Sequence, residues 1–253
     1  MTRLTKLLSA AAFIIVSNGA FAQQGKTITD TTYTINNLGL QGFTGIRIQG
    51  PYDVYVTQGD GESVKMDAPA EILPRIITEV KAGVLNIQNK HDNWGWGERS
   101  WWSERSWWHT HKRIAVYITA KNLDDISISG SAAIFFWDGI TASSLNLSLS
   151  GSGKIEGKID SKTVRANMSG SGRILLTGSA ASSDVTISGS GNFSARGLVT
   201  ANSSVHVSGS GHAEVNAGET VDASVHGSAH ISYTGNAKVV NSSKSGSGAI
   251  SRL

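Results

Sequence analysis

The chain has 253 residues, with 22 Lys and Arg against 19 Asp and Glu, 29 Gly and no Cys. That length suits one elongated domain or two stacked blocks, and the missing Cys excludes a disulfide framework, leaving a continuous core to stabilise the fold. Setting aside Arg3 and Lys6, which fall in the leader described next, leaves 20 basic residues against 19 acidic ones, a near-neutral balance that argues against nucleic acid or an anionic membrane surface as the main partner.

Arg3 and Lys6 precede an apolar run from Leu7 to Val16, and Ala20-Phe21-Ala22 follows as a small-x-small cleavage site. Residues 1–22 therefore read as a secretory signal peptide, too short to span a membrane. No later run is long enough for a transmembrane span, and Gln23 rather than Cys at the cut offers no lipid-anchor site. Residues 23–42 form an N-terminal extension.

Residues 43–119 read as an irregular block of short strands. Ile46-Arg47-Ile48, Tyr52 to Val56, Val64-Lys65-Met66, Ile76 to Val80 and Val84 to Ile87 alternate apolar and polar positions between turn signals. Asp60-Gly61 predicts a tight hairpin between Val56 and Val64. Pro69 and Pro74 bar the stretch between them from a central strand, and a short helical turn fits Ala70 to Leu73.

Within this block residues 93–110 are rich in Trp. Trp94, Trp96, Trp101, Trp102, Trp107 and Trp108 lie there, six of the chain's seven. One reading is an extended hairpin or loop whose rings pack on the rest of the fold or on each other. The other is an aromatic binding surface, for sugar rings, a membrane interface or a protein partner, with Glu98, Arg99, Glu104 and Arg105 supplying polar contacts. His109 and His111 share a strand face and His91 lies across the segment, but no Cys or ordering carboxylate accompanies them, so no metal site is assigned.

From residue 120 the chain repeats. Gly-Ser-Gly or Gly-Ser-Ala begins at Gly130, Gly151, Gly170, Gly189, Gly209, Gly227 and Gly246, at spacings of 21, 19, 19, 20, 18 and 19. Two places before each Gly stand Ile128, Leu149, Met168, Ile187, Val207 and Val225, and four before stand Ile126, Leu147, Ala166, Val185, Val205 and Ala223. The column between them is polar, Ser127, Ser148, Asn167, Thr186, His206 and Ser224, so each segment is a strand with one buried face. After the corner comes a polar column, Lys154, Arg173, Asn192, His212 and His230, and then an apolar one, Ile134, Ile155, Ile174, Phe193, Ala213, Ile231 and Ile250. A third apolar site is expected at Ile140, Ile159, Leu198, Val221 and Val239. Three short sides per coil with Gly corners predict an all-β fold, a right-handed parallel β-helix (β-solenoid) of about 19-residue coils, preceded by the less regular strand block. Coils about 4.8 Å apart give the seven repeats a length of roughly 34 Å.

Gly42-Phe43 through Ile48, Val54-Tyr55-Val56-Thr57-Gln58-Gly59, Ile77-Thr78-Glu79-Val80, Gly83-Val84-Leu85-Asn86-Ile87 and the recurring Ser-Gly-Ser-Gly corners resemble the putative auto-transporter adhesin, head GIN domain family. The resemblance covers residues 43–253. It implies an exported, right-handed β-helical protein of Bacteroidetes-type bacteria with no catalytic residues to carry over.

The site chemistry points the same way. Gly151-Ser152-Gly153-Lys154 lacks the spacing and helix of a phosphate loop. Asn-x-Ser at Asn146, Asn192, Asn202 and Asn241 is a by-product of the repeat, and His212 and His230 form a solvated ladder. Charges such as Glu156, Arg173 and Glu214 sit on different coils, and no nucleophile has a base and orienting acid beside it. The expected function is a non-enzymatic adhesin-like or scaffolding protein of the periplasm, outer membrane or cell surface, needing no cofactor. Its expected partners are a glycan or an envelope or surface protein. A carbohydrate-binding β-helix using the Trp segment is the alternative, and a polysaccharide-active enzyme the third. Residues 239–253, with no covering element after them, predict self-association through the final coil.

Overall fold

The computed structural model describes residues 33–90 and 114–253. The leader expected over residues 1–22, the six Trp of the 93–110 segment, and His91, His109 and His111 lie outside the described residues.

Strands β8 (Asp125–Gly130), β9 (Ala133–Gly151), β10 (Lys154–Gly170), β11 (Arg173–Gly189), β12 (Asn192–Gly209) and β13 (His212–Gly227) stack in parallel, each on the next. β14 (His230–Thr234) and β15 (Val239–Ser245) form the next coil, paired along β13, and β16 (Ala249–Arg252) begins a further one on β14. This is the β-solenoid expected from the repeat. Its sides differ from the expected three short strands per coil, because β9 to β13 run 16 to 19 residues each. The ladder bonds point from coil to coil, across the chain path, so a coil can bend at Gly139 or Gly178 without breaking its pairing. Even at the Ser-Gly corners the ladder continues, with Ser152 N–H donating to Gly130 O at 2.9 Å and Lys154 N–H to Ala132 O at 2.9 Å.

The corner Gly is fixed by two constraints. Gly170 has φ +111°, a region closed to most L side chains. A Cβ there would also lie 2.6 Å from the carbonyl oxygen of Gly151 in the coil before.

Apolar columns fill the interior. Ile87, Ile48, Ile128, Leu149, Met168, Ile187, Val207 and Val225 form one, in register through successive pairings and all buried. The expected third site turns out to be two columns. Ile140, Ile159, Gly178 and Leu198 share one register, whereas Val221 belongs with Leu145, Val164, Ser183, Ser203 and Val240. Counting from the corner drifts because bulges insert residues at some coils. Val239 is in neither column and is half exposed. The two inward Ser are buried as a bonded set, with Ser183 Oγ 2.9 Å from Ser203 Oγ, Thr200 Oγ1 2.8 Å from Ser203 Oγ, and Thr200 donating to Asn216 O.

The N-terminal block continues the same stack in a changed order. β2 (Gly45–Gln49) lies under β8, and β3 (Tyr52–Gln58) under β9. Below that coil lie β6 (Val84–Asn89), paired with β2, and β7 (Ile114–Ala120), paired with β3. The inner columns pass unbroken from Leu85 to Ile46 to Ile126, and from Val116 to Val54 to Ile134. β4 (Ser63–Pro69) and β5 (Ile76–Lys81) then close this end antiparallel to β7 and β6, and β1 (Tyr33–Asn37), inside the 23–42 extension, adds to β4. The Asp60-Gly61 hairpin is thereby corrected. β3 and β4 do not pair, because β7 lies between them, bonded to both. A single 3-10 turn at Leu73–Arg75 carries Pro74.

Candidate functional site

Most outward columns carry Ser, Thr, Asn or scattered charge. One does not. Alternation buries Val54, Val56, Val116, Ile118, Ile134 and Phe136, which turns the residues between them, Tyr55, Tyr117 and Phe135, to the outer face. Their strands pair Tyr117 with Tyr55 and Tyr55 with Phe135. The rings stack at centroid distances of 5.3 and 5.5 Å, the range of favourable aromatic pairs. The next residue in the column is Glu156, whose carboxylate pairs with the Lys154 ammonium, and that ammonium lies 5.4 Å from the Phe135 centroid. Lys154 of the Gly-Ser-Gly-Lys corner is thus committed to a carboxylate and a ring.

Trp137 extends the strip sideways. Between Phe136 and Ile140 strand β9 has three residues, Trp137, Asp138 and Gly139, opposite Lys158 alone on β10. This bulge accounts for the 21-residue spacing from Gly130 to Gly151, two more than the usual 19. Such a bulge re-aims side chains, and Trp137 stands 62% exposed, 5.2 Å from Phe135 and 5.9 Å from Tyr55 by ring centroids. Tyr117, at the other end, is 44% exposed.

The end of β3 ties this bulge to a groove. Thr57 Oγ1 donates to Asp138 Oδ2 at 3.5 Å, while Gln58 donates to Lys121 O and Thr141 O and accepts from Thr141 N–H at 2.7 Å. Thr141 begins the wall of a groove of about 690 Å³, polar at Asn122, Asp124, Ser143, Asp160, Ser161 and Lys162.

Among the described residues two titrating groups are shifted. Burial pushes the Asp125 carboxyl up, Arg47 draws it down, and Asp124 adds to the rise. Burial likewise pushes the Tyr52 hydroxyl up, and that hydroxyl donates to Asn89 Oδ1. His212 and His230 are register neighbours, with His212 Nε2 3.6 Å from Glu214 Oε1, and Glu214 accepts from Ser194 Oγ at 2.8 Å. Among the described residues no three His, Asp or Glu are grouped to hold a metal ion, and no helix is long and apolar enough to cross a membrane.

The sequence reading missed the strip of Tyr55, Tyr117, Phe135 and Trp137. The signal was present: Val-Tyr-Val, Val-Tyr-Ile and Ile-Phe-Phe each place a ring between two buried neighbours, but only the pairing register brings them side by side.

A family model described as putative auto-transporter adhesin, head GIN domain matches residues 42–237. Three solved structures share the fold. A putative adhesin from Bacteroides fragilis is 23% identical with a TM-score of 0.77, over 88% of this chain and 97% of its own. A putative lipid binding protein from Parabacteroides distasonis is 19% identical with a TM-score of 0.70, over 88% and 98%. A putative adhesin from the same organism is 22% identical with a TM-score of 0.67, over 88% and 98%. Comparison with curated proteins finds no match.

Proposed function

Because this chain belongs to the putative auto-transporter adhesin, head GIN domain family, we propose that it is an exported, non-enzymatic attachment or scaffolding module of the bacterial envelope or surface. The observation that carries this reading is the strip of four rings on an outer face that otherwise carries mostly Ser, Thr, Asn and scattered charge, with Trp137 and Tyr117 open to solvent. Exposed Trp and Tyr supply large contact area at low entropy cost, which makes them frequent anchors of binding surfaces. A leader over residues 1–22 delivers such a module to the compartment where its partners lie. Trp94, Trp96, Trp101, Trp102, Trp107 and Trp108 are proposed as further residues for ligand or partner binding.

The test uses the chain from Gln23 onward, labelled and applied to envelope fractions of a Bacteroidetes bacterium. Saturable attachment is expected, weakened about tenfold by replacing both Tyr117 and Trp137 with Ser. Attachment equal in wild type and variant would remove the strip from the mechanism. Vesicles of phosphatidylethanolamine and phosphatidylglycerol serve as a separate arm, since the Parabacteroides distasonis relative bears a lipid-binding name. N-terminal sequencing of the protein recovered from expressing cells should begin at Gln23, and an uncut chain retained in the cytosol would contradict export.

A further inference from the structure

We propose that the Trp137 bulge and the adjoining polar groove form a saccharide-binding site, with one sugar ring on the indole and the following units running into the groove past Thr141. The inference deepens the attachment reading above and rests on it. Tyr117, Tyr55 and Phe135 are stacked with interplanar angles of 18° and 21°, so they cover one another's faces. They form a buttress and offer little area for a flat ligand. Trp137 is tilted 39° from Phe135 and 55° from Tyr55, and it stands clear of the stack. A rigidly backed, tilted indole suits the CH-bearing face of a pyranose.

The polar surroundings fit the same ligand. Asp138 follows Trp137 directly and shares the Thr57 hydroxyl. The groove beyond presents Ser143, Asp124, Asp160 and Lys162, a mixture of short donors and acceptors that matches a run of sugar hydroxyls. Across bulge and groove three carboxylates, Asp124, Asp138 and Asp160, stand with two Lys, Lys158 opposite the bulge and Lys162 in the groove, a surface with no cationic excess, which favours a neutral saccharide over a uronate, sulfate or phosphate. The Gln58 side chain is bonded through both its oxygen and its nitrogen to backbone, so it pins the end of β3 to Thr141 at the mouth of the groove.

The experiment titrates wild type, Trp137→Ala, Asp138→Ala and Thr186→Ala with cellohexaose, laminarihexaose, mannohexaose and chitohexaose by calorimetry and Trp fluorescence, with thermal melts to show that each variant is folded. Wild type and Thr186→Ala should bind at least one hexasaccharide alike, with affinity about tenfold lower in Asp138→Ala and lost in Trp137→Ala. Equal binding by Trp137→Ala would overturn the site and move recognition elsewhere. Binding of none of the four at millimolar concentration would overturn the ligand class. Light scattering is run alongside, and a dimer of wild type abolished by Trp137→Ala would also overturn the proposal by making the indole a contact between copies. Envelope attachment by the wild type in any of these outcomes would leave the attachment reading standing, and failure of the wild type to attach would sink both.

Discussion

Ala82 holds φ +49°, and with Gly83 at φ +75° it turns β5 back onto β6. A two-residue turn with both φ values positive matches the twist of the strands, but a Cβ in that region costs about 1–2 kcal/mol. Ala82→Gly should therefore raise stability by about 1 kcal/mol, read as a shift in the denaturation midpoint at constant slope. A loss of stability would mean that the methyl is held by packing. Asp125 gives a pH signature. Its carboxyl is raised in the folded chain, chiefly by burial, so the native state holds that proton more tightly than the unfolded one. Its contribution is present below the ordinary carboxylate value and is lost as the pH rises through the folded one. Asp125→Asn should melt above wild type at about pH 7.5, with the gap closing toward about pH 3. A gap independent of pH would remove Asp125 from the explanation.

At the scale of the strand, one residue separates a core position from a solvent position. Ile187 is buried in its column while Thr186 beside it is exposed. Ile187→Asp should cost several kcal/mol through an unpaired buried carboxylate, and Thr186→Asp under about 0.5 kcal/mol. Equal effects on thermal unfolding would contradict the register. These columns were legible in the sequence because the corner Gly must recur wherever the backbone of one coil presses on the next, and alternation does the rest. The third side was legible only in part. Val221 looked like a continuation of Ile140 and Ile159, but a bulge changes the count, and two Ser at an inner position, Ser183 and Ser203, hide a column whose polarity is cancelled by hydrogen bonds between them. The aromatic strip escaped for a related reason. Each ring sits inside an ordinary alternating run, and the long-range pairing that gathers Tyr117, Tyr55 and Phe135 leaves no local mark. The bulge was visible as an unexplained spacing of 21.

At the scale of the molecule, residues 90–113 make the same connection, from β6 to β7, that Gly50-Pro51 makes from β2 to β3 and Ser131-Ala132 makes from β8 to β9. β6 is held by β2 and β5, and β7 by β3 and β4. Replacing residues 93–110 with a short Gly-containing link should leave the β signal in circular dichroism intact, while its collapse would show that those rings belong to the core. The changed order of the first coils also has a consequence in time. β2 and β3 are the first coil strands along the chain, yet they end up second in the stack, with later segments on both sides. The earliest coil is a two-sided template. One side is closed by β6 and β7 with their antiparallel companions, all from residues up to Ala120, so assembly from this block can advance in a single direction, each finished turn templating the next. Pulsed hydrogen exchange during refolding should find the amides of β3 and β7 protected before those of β12 and β13. A chain built this way carries its own starting block, and the length of the repeat array can change without altering how it begins.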